Sequence, residues 1–470
     1  MSWQTIVKEN NLDVSVVKLS DIGGLLRIEA EYYKPLYLQT ERIISNKNYK
    51  DLDTYLIDLY RYPTFFNIDY FESGTLILKG EDISESGIIN NKSSDYIDEK
   101  TSQKFKRTIL KKNDLIMSVR GLVGKVGLIT DEYKGSNINA NVIKLSINEN
   151  LISPIYVWLF LNCFYGRNQI YRYKMQTNQE TIISEDIRKI KIPTISETLS
   201  KDLNKIVEGS LMFLANAKKE YIDAEQALLK ETNLANYKPN NKNTSVRSLA
   251  KCLANNRFDA EYWQLDFDDI INLISGYKKG VSIIGNEFKQ IKNNFKKDPK
   301  KTYKYIEISD VNISTGEVDF NEIIGVELPA NAKIKFGKRQ LITSKVRPNR
   351  GATAILDNHD GYIGSGAFTV LQEKETINLE TLMVYLKTRP IRELLLRYNT
   401  GTSYPTITDR DILQLPIPLI DAGIQKQIKE KIAQSHTERQ EAKKLLEKAK
   451  RAVEIFIEQN EKQALAYLNK

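Results

Sequence analysis

Histidine and cysteine are nearly absent from this chain, with two of each in 470 residues. His359 and His436 are far apart, as are Cys163 and Cys252, so neither a zinc cluster nor a disulfide framework has residues at workable spacing. So few cysteines agree with a reducing compartment. The sequence also lacks a GxxxxGK[ST] phosphate loop, a GxGxxG after a strand, a nucleophile elbow near His359 and any Pro-Pro dipeptide. That removes phosphate-loop, dinucleotide, serine-hydrolase and Pro-Pro-dependent amino-methyltransferase chemistry. No pair of carboxylates stands out. The chain reads as non-catalytic, with no metal or cofactor of its own.

Long hydrophobic runs are missing too. The longest, IYVWLFLNCF (Ile155 to Phe164), is too short to cross a bilayer and reads as a buried helix. The first residues, MSWQTIVKEN, show no charged-then-apolar leader pattern. A cytoplasmic location without membrane contact is the expectation.

What is present is a globular composition, 41% apolar and 27% charged, in a chain long enough for several cores. The formal charge of +9 is compatible with a polyanionic partner. More telling is a repeat. RIEAEYYKP begins at Arg27 and RFDAEYWQL at Arg257, 230 positions on. QTNQETIISEDIRKIKIPTI (Gln176 to Ile195) and GTSYPTITDRDILQLPIPLI (Gly401 to Ile420) share eight of twenty positions at an offset of 225. Between them LIMSVRG (Leu115 to Gly121) answers LITSKVRP (Leu341 to Pro348), matching Ser118 to Ser344 and Arg120 to Arg347 if one residue is inserted. The common order points to duplication.

After each closing proline the apolar period changes. Ser196 and Asp421 are good N-caps. Leu203, Ile206, Ser210, Phe213, Ala217, Tyr221, Ala224 and Leu228 then form a seam at steps of three and four. Two consecutive four-residue steps suggest one local unwinding. Ile428, Ile432, Ser435, Ala442, Leu445, Ala449, Ala452 and Phe456 form a second seam, interrupted by polar Glu438 and Arg439. Two equal helices at equivalent places can bury each other. Expected strands include GTLILKG, KVGLIT and NVIKLSI in the first half, and KYIEISD, GEVDF, QLITSKV, GATAILD and GAFTVL in the second. PIYVWLFLNCFYG and LETLMVYLKTRPIRELLLRY read as helical. The expected boundaries are a globular unit over 1–195, a long helix over 196–235, a second unit over 236–420 with its linker and approach in 236–256, and a long helix over 421–470. The fold class is α+β.

Two basic stretches suit phosphate contact. One carries Lys104, Lys106, Arg107, Arg120 and Lys125; the other, FKQIKNNFKKDPKKTYKYIE, interleaves Lys296 and Lys297 with aromatics. SVRG–GKVG and KVRPNRG–TA place Arg120, Arg347 and Arg350 beside glycines that allow close backbone approach. A guanidinium there can grip a phosphate or read guanine with two donors. Ser118 and Lys345 belong to the same turns. Thr177, Asn178, Thr402, Ser403 and Tyr404 lie outermost in the QTNQETI and GTSYPTI loops and are further candidates for hydrogen bonds to bases.

With these residues in hand, the chain resembles the specificity (S) subunits of type I restriction–modification systems. The likeness rests on the order of units and helices, on R-x-[DE]-A-E-Y-[YW] opening each half, and on G-T-x-x-P-T-I…D-I…I-P-[LT]-I closing it before IQKQIKEKI. In the first half Gln176 stands for the glycine and Glu180 for the proline. The resemblance implies two tandem target recognition domains on double-stranded DNA, each reading half of a split site, with their helices paired as an antiparallel coiled-coil spacer about a pseudo-twofold axis. It implies two modification subunits, which bring S-adenosylmethionine for adenine-N6 methylation, and restriction subunits that bring ATP and Mg. Arg27, Glu31, Tyr32, Pro193, Arg257, Glu261, Tyr262 and Pro418 would then be frame rather than readers, with Arg27/Arg257 and Glu31/Glu261 holding the domain edge beside the helices. A helix from Ser196 to Asn233 extends somewhat over 50 Å at about 1.5 Å per residue, roughly fifteen base pairs of duplex. A specificity subunit of a type IIB-like enzyme would share these features, and the composition of the purified complex separates the two. A coiled-coil scaffold without DNA contact is the rival of another class. It predicts no salt-dependent DNA binding.

Overall fold

A computed structural model of the chain describes residues 14–18, 22, 27–62, 68–71, 73–90, 95–175, 179–240, 244–400 and 404–470. They fall into two compact units, Met1–Phe213 with Gln440–Lys470, and Leu214–Arg439. Among the described residues no helix is long and apolar enough to cross a membrane.

In the first unit the strands are β1 (Tyr49–Asp51), β2 (Leu56–Arg61), β3 (Thr75–Leu78), β4 (Tyr96–Ile97), β5 (Leu115–Ser118), β6 (Val126–Leu128), β7 (Asn137–Ile138), β8 (Val142–Ile147) and β9 (Lys191–Pro193). The main sheet has the order β2-β8-β5-β6 and is antiparallel. Every residue of β5 is buried because both faces are covered. Leu115 and Met117 join the core that holds Trp158 and Phe160, whereas Ile116 points into a second cluster with Leu78 and Ile138. A smaller sheet, β4-β3-β7, pairs β3 and β7 in parallel.

Helices α1 (Pro35–Ser45), α2 (Pro154–Asn162) and α3 (Phe164–Tyr173) cover the main sheet's core face. Ser153 caps α2 by accepting from the Tyr156 amide at 3.3 Å, and Pro154 occupies its first turn. The long apolar run is this helix, buried from Tyr156 through Asn162. Trp158 Nε1 donates to the Val126 carbonyl at 3.0 Å and docks it on β6.

The second unit repeats this plan with β10 (Val281–Ile283), β11 (Phe288–Gln290), β12 (Thr302–Ile306), β13 (Asn321–Ile324), β14 (Ala332–Lys335), β15 (Gln340–Ser344), β16 (Thr353–Leu356), β17 (Ile363–Ser365), β18 (Phe368–Glu373) and β19 (Pro416–Pro418). Its main sheet, β11-β18-β15-β16, has the same antiparallel order as the first, and its smaller sheet, β13-β12-β17-β14, adds one strand. GEVDF is not a strand. Gly316 at φ 74° and the Asn312 carboxamide, which accepts from the Ser314 and Thr315 amides, make a turn there, and β13 starts just beyond. The helical stretch after β18 divides into α6 (Leu379–Lys387) and α7 (Arg389–Leu396), because Pro390 sits in the first turn of α7. Helix α5 (Leu265–Ser275) corresponds to α1. Pro193 and Pro418 end short ladders with β1 and β10, where a missing amide hydrogen does least harm.

The long helices are α8 (Glu197–Glu231) and α9 (Ala422–Glu458), with α10 (Glu461–Leu468) after them. Each contributes one part to each unit. In the first unit Leu203, Val207 and Ser210 pair antiparallel with Ala442, Leu446, Ala449 and Val453. In the second, Ala217, Ala224 and Leu228 meet Ser435, Ile432 and Ile428 in the same sense. Ser210 Oγ donates to the Ala442 carbonyl at 2.9 Å, and Ser435 Oγ to the Ala217 carbonyl at 2.7 Å. Val207 is fully buried, not Ile206. Ser210, Ala217 and Ala224 are spaced by whole heptads, so the expected local unwinding is absent from this seam.

Candidate nucleic-acid interface

At one end of each main sheet two loops are laced together. In the first unit the Ile182 amide donates to the Val119 carbonyl at 3.1 Å, and the Gly121 amide to the Glu180 carbonyl at 3.1 Å. In the second, Ile407 donates to Lys345 at 3.0 Å and Arg347 to Pro405 at 2.7 Å. The turn after β5 or β15 is thus fixed to the stem of the loop that follows α3 or α7. Glu180 in place of Pro405 does not alter these bonds. Thr177, Asn178, Thr402 and Ser403 lie outside the described residues.

These bonds correct one expected equivalence. Arg120 bridges Thr181 and Val346 bridges Thr406, so Arg120 corresponds to Val346. Arg347 corresponds to Gly121, and both are left-handed, at φ 50° and 77°. The extra residue of the second half comes later, in the Arg347–Gly351 turn. The turns after β5 and β15 share no arginine position. Each unit presents its own pattern.

Arg120 and Leu122 are exposed in the first unit. In the second, Arg347 lies over the Tyr404 ring at 4.2 Å, Tyr404 is 55% exposed, and Arg350 is exposed. Arg392 packs under Gly351 and donates to the Asn349 carbonyl at 3.3 Å, which supports that turn from below. Ser118 was expected here and is not. It is fully buried, its Oγ donates to the Leu122 carbonyl and accepts from the Lys125 amide at 3.0 Å, so the hydroxyl shapes the turn. Lys125 pairs with Glu85 at 2.8 Å and Lys345 with Asp409 at 3.0 Å. Burial would raise the Asp409 pKa, but hydrogen bonds from Thr369 and Lys345 hold it below the usual range.

The basic stretches lie elsewhere in each unit. Lys104 and Lys106 are exposed. Arg107 forks onto Asp58 at 2.6 and 3.2 Å and covers Tyr60 at 4.3 Å. That pairing lowers the Asp58 pKa and raises that of Arg107. Lys296 and Lys297 are exposed, Lys297 donating to the Leu328 carbonyl at 3.3 Å. The neighbouring aromatics pack on each other, Phe295 against Tyr303 at 4.9 Å.

The opening phrase builds the floor beneath the laced loops. The Tyr32 ring lies between Arg27 at 4.7 Å and Arg172 at 4.3 Å; Tyr262 lies between Arg257 at 4.6 Å and Arg397 at 4.4 Å. Arg27 donates to the Tyr173 carbonyl at 3.2 Å and faces Asp186 at 3.5 Å. Arg257 forks onto Asp259, with both contacts at 2.6 Å, and donates to the Asn399 carbonyl at 3.4 Å. Tyr33 Oη and Trp263 Nε1 donate to the carbonyls of Arg27 and Arg257, each at 2.9 Å. The phrase therefore secures the base of the loop after α3 and α7, rather than an edge beside the long helices. Glu31 and Glu261 take no part in it: Glu31 pairs with its neighbour Lys34, and Glu261 is exposed. Arg172 and Arg397 were missed, although YRY and LRY stand at the repeat offset.

A search of curated protein sequences finds no match. Solved structures similar to this chain include the type I restriction-modification system S subunit from M. genitalium, at 12% identity over 90% of this chain and 96% of that one, with a TM-score of 0.37. The HsdS subunit from Thermoanaerobacter tengcongensis is 14% identical over 90% and 95%, with a TM-score of 0.27. Residues 65–195 match the family model described as the type I restriction modification DNA specificity domain. That segment contains β5, its arginine turn, the laced loop and β9.

Proposed function

We propose that this chain is the DNA specificity subunit of a type I restriction–modification complex, with each unit reading one half of a split, asymmetric site. The observation that supports this reading best is the contrast within the laced loops. Their backbone bonds are the same in both units, while Arg120 and Leu122 stand in one and Arg347, Arg350 and Tyr404 in the other. A common scaffold carrying different guanidinium and aromatic groups suits two different base sequences, since an arginine fork distinguishes guanine in the major groove. The chain would do no chemistry itself. Two modification subunits would bring S-adenosylmethionine and methylate adenine N6, and restriction subunits would bring ATP and Mg, all in the cytoplasm.

Mapping of N6-methyladenine across the host genome, with and without this gene, tests the reading. Loss of one bipartite motif is expected. Unchanged methylation, with the partner methyltransferase expressed, overturns it.

A further inference from the structure

Four aliphatic residues lie between positions 119 and 126, in and beside the turn after β5. Val119 and Val126 are fully buried and Val123 is 6% exposed, whereas Leu122 is 54% exposed. The backbone that holds Leu122 out is pinned from both sides. Its carbonyl accepts from Ser118 Oγ, which in turn accepts from the Lys125 amide at 3.0 Å. The Gly124 amide donates to the Ser118 carbonyl at 2.9 Å, and the Gly121 amide to the Glu180 carbonyl at 3.1 Å. Gly121 and Gly124 are both left-handed, at φ 77° and 96°. A Cβ at Gly124 would lie 3.0 Å from Ile170 and 3.1 Å from Tyr171, so the turn is seated on α3. One apolar side chain is thus presented to solvent by a braced turn, two residues after the exposed Arg120. In the second unit Pro348 takes the matching place, after Arg347, and it is buried; Asn349 and Arg350 beyond it are exposed and polar.

An apolar side chain in a DNA-reading turn needs an apolar counterpart. Among the four base edges in the major groove only thymine offers one, its C5-methyl group. We propose that Leu122 packs on the methyl group of a thymine in the first unit's half-site and so helps to set the sequence chosen. The contact rests on the DNA-reading function proposed above and gives one base of that half-site its chemistry. Arg120 keeps its separate hydrogen-bonding role. Because the turn is braced before DNA arrives, little ordering opposes the contact. The buried Pro348 offers no such contact in the second half-site.

The test uses the complex reconstituted with its modification subunits, on duplex carrying its own site. Each thymine of the site, on both strands, is replaced singly by deoxyuridine, which removes the methyl group and leaves the hydrogen-bonding edge intact. One replacement should weaken binding about three- to fivefold, the effect of one buried methyl group. In Leu122→Ala that replacement should have no further effect, and the slope of log K against log salt should stay as in the parent, since no phosphate contact is lost. Leu122→Met should keep the preference for thymine over deoxyuridine. If Leu122→Ala does not assemble, Leu122→Asn must show the same loss of preference. A preference that survives in the assembled variant overturns the contact. So does weaker binding by Leu122→Ala when no thymine methyl matters to the parent, which would make Leu122 a wedge between base pairs. Selective binding without any methyl sensitivity overturns the leucine contact alone, whereas failure of the unaltered complex to bind any sequence selectively overturns the DNA-reading function itself.

Discussion

The two units repeat one backbone plan but join their helices differently. In the first, Trp158, Leu159 and Leu161 share a dry core with Leu446, Ala449, Ala452 and Val453 of α9. There Asn162 Nδ2 donates to the Val126 and Trp158 carbonyls, both at 2.9 Å, while its buried Oδ1 has no hydrogen-bond partner among the described residues. At the repeat offset the second unit has Lys387 for Asn162, Tyr221 for Leu446 and His436 for Leu211. Lys387 is buried, 5.1 Å from the Tyr221 ring, and among the described residues its ammonium donates to the Ser314 carbonyl at 3.4 Å. Among the described residues, Tyr221 Oη, His436 Nε2 and Arg439 Nε are buried without a hydrogen-bond partner. Burial, reinforced by Arg439 and Arg392, pushes Lys387 down to about 7 despite Glu225. Burial also raises Glu225, so desolvation outweighs the attraction between them. Duplication preserved the seam between the helices. It did not preserve the joint between helix and sheet domain.

The largest expected effect breaks the dry joint. Trp158→Ala should cost about 3–5 kcal/mol, read by urea denaturation. The opposite sign is expected at the charged joint, where Lys387→Met removes a penalised ammonium and should stabilise the chain at pH 7 by on the order of a few kcal/mol. The pH dependence sharpens this. Between pH 7 and the ordinary lysine range the unfolded chain binds the proton that the folded one has lost, so stability should rise with pH there. Below pH 7 the penalty is complete. Lys387→Met should flatten this rise, and a variant with the same slope as the parent would refute the assignment.

Smaller effects should be alike in the two units. Arg27→Ala and Arg257→Ala should each lose about 1–2 kcal/mol in thermal denaturation, without changing the methylated motif, since they hold Tyr32 and Tyr262 rather than bases. Arg107→Ala, at an exposed ion pair, should change stability by under about 1 kcal/mol in the same measurement.

The duplicated plan and the helices were legible because order and periodicity survive divergence. Seam positions were read to within one residue, Val207 for Ile206, since neighbouring apolar residues compete for the same face. The arginine match failed for a related reason. One inserted residue can be placed on either side of Arg347, and only the bridge between Val346 and Thr406 decides. The burial of Lys387 gave no signal, since its stretch reads simply as amphipathic helix and a sequence does not show which charged groups are buried.

The reciprocal serines of the helix pair carry one more consequence. Ser210 and Ser435 are 225 residues apart, and so are the carbonyls of Ala217 and Ala442 that receive them. An insertion of one residue in either helix turns a hydroxyl by about 100° away from its acceptor, whereas seven residues in both return it to the same face. Their pairing is notched, like a ratchet. Changes of length that descendants of this chain can survive should come in heptads, and in both helices at once.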